Sequence, residues 1–333
     1  MFMAISRTPY RISFFGGGTD YPDWYRVHGG AVLSMAINKY CYLSGRHLPP
    51  FFGIRHRIVW SHIETVGAIS EILHPAVKAG LEAADFGDDE GEGVELHHQG
   101  DLPARSGIGS SSAFAVGLIN VLNAMRGANL GKHDLAQAAI DLEQNKLKET
   151  VGCQDQVASA YGGFNVIRFS PNGDITVDPI GLTDEQRIAF EQRLMVFYTG
   201  TSRLSSTLAK QFVDNLEAKT KSLKRMQAMV PEAADMLRRC DFDSFGRLLH
   251  ETWTLKRELT NAISTTTIDR IYDDAMRAGA LGGKLLGAGG AGFMVFIVPL
   301  EHQPRVREAL AHLVNVPVRA DFTGSTIIYR QDE

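Results

Sequence analysis

A chain of 333 residues with 44% hydrophobic and 22% charged side chains has room for two ordinary domains, each with its own core. A net charge of −4 argues against a nucleic-acid or anionic-membrane partner, and no run approaches about 18 uninterrupted apolar residues, so the expected partner is a small molecule. Three scattered cysteines, Cys41, Cys153 and Cys240, make neither a disulfide framework nor a C-x-x-C zinc site, and the start MFMAISRTPYRIS lacks the apolar region of an export signal; a reducing, cytoplasmic setting is expected.

The first hundred residues read mainly as strands: MAISRT, YRISFF, the run AVLSMAINKYCYLSG, IRHRIVWS and, after an acidic loop over 85–93, VELHH. Ser111 to Met125 is apolar on nearly every face and predicts a buried helix. HDLAQAAIDLEQNKLKE predicts a half-exposed one, with Leu135, Ala138, Ala139 and Leu142 at helical spacing. YGGFNVIRF and the turn SPNGD lead to a composition change near 175–190, which divides the chain into 1–185 and 186–333. The second part predicts the strand LMVFYTG, long charged helices over 205–227 and after 241, a glycine cluster feeding FMVFIV, the helix REALAHLV and the strand STIIYR. Without regular strand-helix alternation, two α+β domains fit better than a doubly wound sheet.

Four stretches carry candidate chemistry. In RTPYRISFFGGGTDYPDW, Gly16, Gly17 and Gly18 follow a strand directly; three glycines fill no core, so close approach to something is expected, with Asp20 able to accept from sugar hydroxyls or merely to close an Asx turn. Arg11, if it faces inward, brings a permanent cation. LPARSGIGSSSA has the glycines and hydroxyls of an ATP-binding loop without its lysine. Gly107 and Gly109 would let the backbone approach an anion, and Ser110, Ser111 and Ser112 open the buried helix, where free amides and the dipole favour a phosphate; serine capping of a plain turn is the alternative. In VGCQDQVASAYGGFN, Asp155 is a catalytic candidate or an N-cap, and Glu143 lies near enough for both carboxylates to serve a magnesium-phosphate centre. GAGGAGF, residues 287–293, satisfies G-x-G-x-x-G, but a strand follows it where a dinucleotide fold needs a helix, so a tight connection whose backbone approaches a ligand or another loop fits better. No H-E-x-x-H or G-x-S-x-G pattern competes.

In this order the stretches resemble the three motifs of the GHMP superfamily of small-molecule kinases, named for galactokinase, homoserine kinase, mevalonate kinase and phosphomevalonate kinase. Within it, GGGTD, GCQDQVASAYGGFN and GALGGKLLGAGGAGF are most similar to the heptose 7-phosphate kinases. The resemblance implies a ribosomal-protein-S5-like N-terminal domain and a ferredoxin-like C-terminal domain with ATP at their junction. It implies a phosphate loop of Arg105, Ser106, Gly107, Ile108, Gly109, Ser110, Ser111 and Ser112. Asp155 and Arg11 match the catalytic pair, and Glu143 with a serine of the Ser110–Ser111 pair matches the Mg2+ ligands. Gly17, Gly18, Thr19 and Asp20, with Gly287, Gly289 and Gly290, are matched to the substrate side. One departure is Ala291, where related sequences often carry glycine; it matters only if that backbone needs positive φ. The implied reaction takes a sugar or sugar phosphate, for nucleotide-activated heptose and surface polysaccharide synthesis, in a monomer or a homodimer. A phosphorylated acceptor needs a second cation, for which Lys39, Arg26, Lys256 and Lys284 are candidates. A fucose or galactose kinase and a non-catalytic sugar and ATP sensor are the alternatives.

Overall fold

The computed structural model describes residues 3–87, 93–200, 213, 219–259, 263–287 and 289–331. The centre of the expected acidic loop, and residues 205–212 and 214–218 of the charged helix expected over 205–227, therefore lie outside the described residues. Strands β1 (Met3–Phe15), β2 (Gly30–His47), β3 (His56–Val59), β4 (Ile63–Val66), β5 (Val94–Gly100), β6 (Phe164–Phe169) and β7 (Ile175–Pro179) build a first sheet. A second takes β8 (Leu194–Tyr198), β9 (Gly282–Leu285), β10 (Phe293–Ile297) and β11 (Val314–Asn315) in the order β11-β8-β10-β9. The last strand, β12 (Thr326–Gln331), crosses back to pair antiparallel with β1, so the stretch 186–333 does not hold to one sheet.

MAISRT and YRISFF, expected as two strands, are one. Pro9 has no N–H to give the ladder, and it sits where the register against β2 shifts between Pro9 and Tyr10. The length of β2 lets it serve two partners beyond β1: Gly30–Met35 pairs with β6 and Cys41–His47 with β5. The end of β1 and β6 thus flank the first part of β2 on opposite sides.

The helices are α1 (Pro22–His28), α2 (Pro75–Ala83), α3 (Ser110–Met125), α4 (Lys132–Asp141), α5 (Gln154–Tyr161), α6 (Asp184–Glu191), α7 (Thr220–Arg238), α8 (Phe242–Leu259), α9 (Thr266–Arg277) and α10 (Gln303–Ala309). Helix α3 is buried along nearly its whole length, as its apolar surface predicts. Gly117 lets it approach β1 so closely that an added Cβ would lie 2.9 Å from Thr8 Oγ1, and Ser6 Oγ donates to the Gly117 carbonyl. The last helix begins earlier than REALAHLV suggests, because Pro304 suits a first turn, and Val314–Asn315 joins the second sheet instead. After α4 the chain widens into one π-helical turn, Leu142–Lys146, which carries the buried Glu143.

Aromatic rings join the two halves. Phe14 and Phe15 at the end of β1 meet Phe245 of α8 edge-on at 5.5 and 5.1 Å, and Phe190 of α6 meets Phe14 and Phe245. These rings are fully buried, and Arg11 lies three residues before Phe14. Removing Phe245 by Phe245→Ala should cost about 3–5 kcal/mol of stability, read as a lower denaturant midpoint; an unchanged midpoint would show that this cluster does not hold the halves together.

Candidate active site

Arg11 points inward from β1 and is 4% exposed. Its Nε and Nη2 donate to the two carboxylate oxygens of Asp155, each at 2.7 Å, and Nη1 donates to the Gly107 carbonyl at 2.7 Å. Its backbone N–H donates to the Ile108 carbonyl. A planar fork with fixed donors can make this set of bonds, whereas an ammonium could not make the bidentate part. Asp155 lies in the first turn of α5, where Cys153 is the N-cap residue; the capping alternative for Asp155 is therefore replaced by pairing with Arg11. The Asp155 side chain keeps 23% exposure, enough to meet a ligand from its open side.

The phosphate loop leads straight into α3. Arg105 adopts a left-handed backbone with φ 59°, unusual without glycine, and its N–H donates to Ser110 Oγ. Ser106 is buried, its hydroxyl donating to Pro103 O, and Ile108 is buried beneath the loop. Gly107 and Gly109 take φ of 84° and 73°. No side chain caps the start of α3, so the amides of its first turn face outward with the positive end of a helix of 16 residues.

The glycines of the third motif are spent on this loop. A Cβ on Gly287 would lie 2.4 Å from Gly107 Cα, one on Gly107 would lie 2.3 Å from Leu286 O, and one on Gly292 would lie 2.2 Å from Ser106 O. Gly289 packs on Ile263, and the Gly290 N–H donates to Ile263 O. Gly287 and Gly289 therefore make backbone-against-backbone contacts that a Cβ would break, as expected of a motif whose backbone approaches another loop. Gly287, Gly289, Gly290 and Gly292 all have positive φ and Ala291 does not, so alanine is tolerated there.

Thr19, matched to the substrate side, turns inward. It is fully buried, its hydroxyl held between the carbonyls of Gly16 and Ala31 and accepting from the Ala31 N–H, so it closes its own turn. Gly17 and Gly18 remain partly open. Asp20 accepts from the N–H groups of Gly18 and Gln154 and thereby ties the first motif to the start of α5. Burial, and secondarily the neighbouring Asp155, push its carboxyl up to about 6.

Glu143 is 2% exposed and accepts from Gln156 Nε2 and from the Ser112 hydroxyl. Burial raises its carboxyl to about 7, against these two hydrogen bonds. The serine it meets directly is Ser112; Ser110 accepts from the Arg105 amide, and Ser111 faces solvent at the opening of the helix. Gln156 Oε1 is buried without a hydrogen-bond partner in the protein. A carboxylate, a hydroxyl and an orphaned amide oxygen form a hard donor set that fits magnesium, provided phosphate oxygens complete it. Among the described residues no group of three or more His, Cys, Asp or Glu could hold a metal alone.

Sequence reasoning missed Ser112 and Gln156 as partners of Glu143. It also missed a ring face beside the loop, where His74 stacks on Phe114 of α3 at 4.9 Å and meets Trp60 edge-on. The doublet of glutamines around Asp155 was the available signal for Gln156. Of the four candidate cations, Lys284 is buried and donates to the carbonyls of Ser13 and Phe14, and Lys256 donates to the carbonyls of Leu285 and Gly287. Arg26 is exposed and Lys39 half-buried.

An amide-lined loop that meets a forked cation and a partly open carboxylate fits a kinase for small acceptors. The sequence bears this out in both halves: the family description GHMP kinases N terminal domain matches residues 71–163, and GHMP kinases C terminal matches residues 233–315. The chain belongs to the GHMP kinases. It is 29% identical over 308 residues to the D-glycero-alpha-D-manno-heptose 7-phosphate kinase of Campylobacter jejuni, covering 88% of each chain. It is 26% identical to L-fucokinase/L-fucose-1-P guanylyltransferase of Bacteroides fragilis, where the match spans 96% of this chain and 37% of that protein. The crystal structure of a D-glycero-D-manno-heptose 1-phosphate kinase from Bacteriodes thetaiotaomicron has the same fold, with a TM-score of 0.80, 22% identity, and coverage of 100% of this chain and 99% of that one. Among the described residues no helix is long and apolar enough to cross a membrane.

Two measurements test this geometry. Gly107→Ala should abolish detectable ATP binding while Ala291→Gly changes it less than about twofold, because only the first substitution breaks a backbone contact; equal effects would overturn the interlock. Because the Asp20 pKa is raised from 3.8 to about 6, its contribution to stability is complete below pH about 4 and is lost as pH rises through about 6. The unfolding free energy of Asp20→Asn minus that of wild type should rise by about 1–3 kcal/mol across this interval, and a flat difference would contradict the buried carboxyl.

Proposed function

We propose that the protein transfers the γ-phosphoryl group of ATP to the anomeric hydroxyl of a sugar phosphate, with D-glycero-D-manno-heptose 7-phosphate as the acceptor and the 1,7-bisphosphate as product. The observation that carries the reading is the bidentate Arg11–Asp155 pair clamped to the Gly107 carbonyl, because it joins a proton acceptor, a fixed cation and the phosphate loop in one unit. The choice of acceptor is supported by the relative from Campylobacter jejuni, matched along nearly its whole length. The chemistry would serve nucleotide-activated heptose synthesis for surface polysaccharide, in the cytoplasm. The same reading takes the first sheet with its helices as the S5-like half and the second as the ferredoxin-like half, in a monomer or a homodimer.

The acceptor hydroxyl lies against the open side of Asp155, and its proton passes to a carboxylate oxygen as the hydroxyl oxygen bonds to the γ-phosphorus. The bond from that phosphorus to the β,γ-bridging oxygen breaks, and ADP leaves with the electron pair. Such transfer is loose, so alignment and charge do most of the catalysis. Arg11 holds the Asp155 carboxylate in one orientation and steadies negative charge beside it. The amides opening α3 bind the phosphate oxygens, and the Trp60–His74–Phe114 face takes the adenine. Asp20 offers its remaining lone pairs to sugar hydroxyls across Gly17 and Gly18. Glu143 and Ser112, with Gln156, would hold Mg2+, which neutralises the outer phosphates when bound.

A fucose 1-kinase is the second reading, favoured by the likeness to the Bacteroides fragilis enzyme along nearly all of this chain. ADP release should be measured with mannoheptose 7-phosphate, sedoheptulose 7-phosphate, fucose and galactose. Turnover of the heptose phosphate, with kcat reduced about a thousandfold in Asp155→Asn and ATP still bound, is the expected result. Turnover of unphosphorylated sugars alone would sink the heptose phosphate assignment.

A further inference from the structure

Lys256, on the last turn of α8, directs its ammonium to the corner where the two sheets meet. Its Nζ donates to the Gly287 carbonyl at 2.5 Å and lies 3.3 Å from Leu285 O. Gly287 in turn backs onto Gly107, whose carbonyl receives Arg11 Nη1. Two carbonyls use two of the three ammonium donors, and one remains.

The charge around it is lopsided. Lys284 of β9 and Arg11 of β1 both act on the same corner: Arg11 bears on Lys256, and Lys256 and Arg11 both bear on Lys284. Burial first, and then Arg11, push the Lys256 amine down to about 7. Among the described residues neither lysine has a carboxylate within ion-pair distance, and Arg11 already takes both oxygens of Asp155. Three cations from three elements thus face one neutralised anion, an arrangement that costs free energy in the empty protein and is relieved by an arriving anion. Lys284 is 3% exposed and closed off by the Ser13 and Phe14 carbonyls, so it serves as a strut between the sheets. Lys256 is half-buried and keeps a free donor.

We propose that Lys256 binds a phosphoryl group, supplying from α8 the ammonium that a lysine-bearing phosphate loop carries within itself. The inference rests on reading Arg11 and Asp155 as the transfer centre. The phosphoryl group comes either from the ATP triphosphate or from a phosphorylated acceptor, and these sources are separable.

The experiment compares wild type with Lys256→Met, Lys256→Arg and, as a surface control, Lys221→Met. The readouts are the Kd of AMPPNP and of adenosine, and the KM of heptose 7-phosphate and of the unphosphorylated heptose. If the triphosphate is the ligand, Lys256→Met weakens AMPPNP about 10- to 100-fold with adenosine unchanged, and the salt dependence of AMPPNP binding becomes shallower. If the acceptor phosphate is the ligand, the same factor appears in the KM of heptose 7-phosphate alone. In either case Lys256→Arg recovers most of the loss. Unchanged AMPPNP affinity and acceptor KM, or equal weakening of adenosine and AMPPNP, would overturn the proposal by reducing Lys256 to a structural latch. A wild type that binds AMPPNP yet turns over no acceptor would refute the transfer reading while leaving the Lys256 binding result to stand or fall by itself.

Discussion

Arg11 reaches three acceptors at once, and they belong to two different parts of the site. Two are the oxygens of Asp155 at the start of α5; the third is the Gly107 carbonyl of the phosphate loop. A guanidinium is flat and rigid, so fixing any two of these bonds fixes the direction of the third. The loop and the carboxylate are separated by nearly fifty residues of sequence, yet their relative placement follows from one side chain on β1. What holds Arg11 in turn is the packing just beyond it, where Phe14 and Phe15 are wedged against α8 and Lys284 donates to the carbonyls of Ser13 and Phe14.

This arrangement sorts charge by depth. The carboxyls set back from the opening, Glu143 and Asp20, are both raised by burial, which makes their ionised forms costly until a cation or a hydrogen-bonding ligand arrives. The lysines on the far side, Lys256 and Lys284, are lowered by the same burial and by repulsion from Arg11, to which Lys256 adds at Lys284. Buried groups of both signs carry unfavourable electrostatics here, and on the proposed reading a magnesium-bound polyphosphate, with its cation and its anion, would relieve both. That is a physical reason for a phosphate cradle to do without a lysine of its own: the cations are brought by tertiary contact and come with the geometry that aims them.

Local chemistry was legible where it depends on near neighbours. The buried character of α3, the turns at Gly107 and Gly109 and the strand after GAGGAGF all follow from apolar patterning and from conformations open to glycine. Errors arose where a distant partner decides. Pro9 reads as a break, but a register shift against β2 lets one strand run through it. Thr19 reads as a substrate contact, but Ala31 claims its hydroxyl. By contrast, the third-motif glycines read as a connection whose backbone approaches a ligand or another loop, and Gly287 meets such a loop at Gly107.

By itself, then, the sequence determined the elements and the kind of chemistry, because hydrophobic period, turn residues and the choice of arginine, aspartate and glutamate are local properties. Only the tertiary structure decided which serine meets Glu143, which amide partners it through Gln156, and which lysine reaches the loop from α8. Three adjacent serines are chemically alike, and a helix turns each by about 100° from the last. Their roles therefore depend on what lies across from each face, and that is set by packing between segments far apart in the chain.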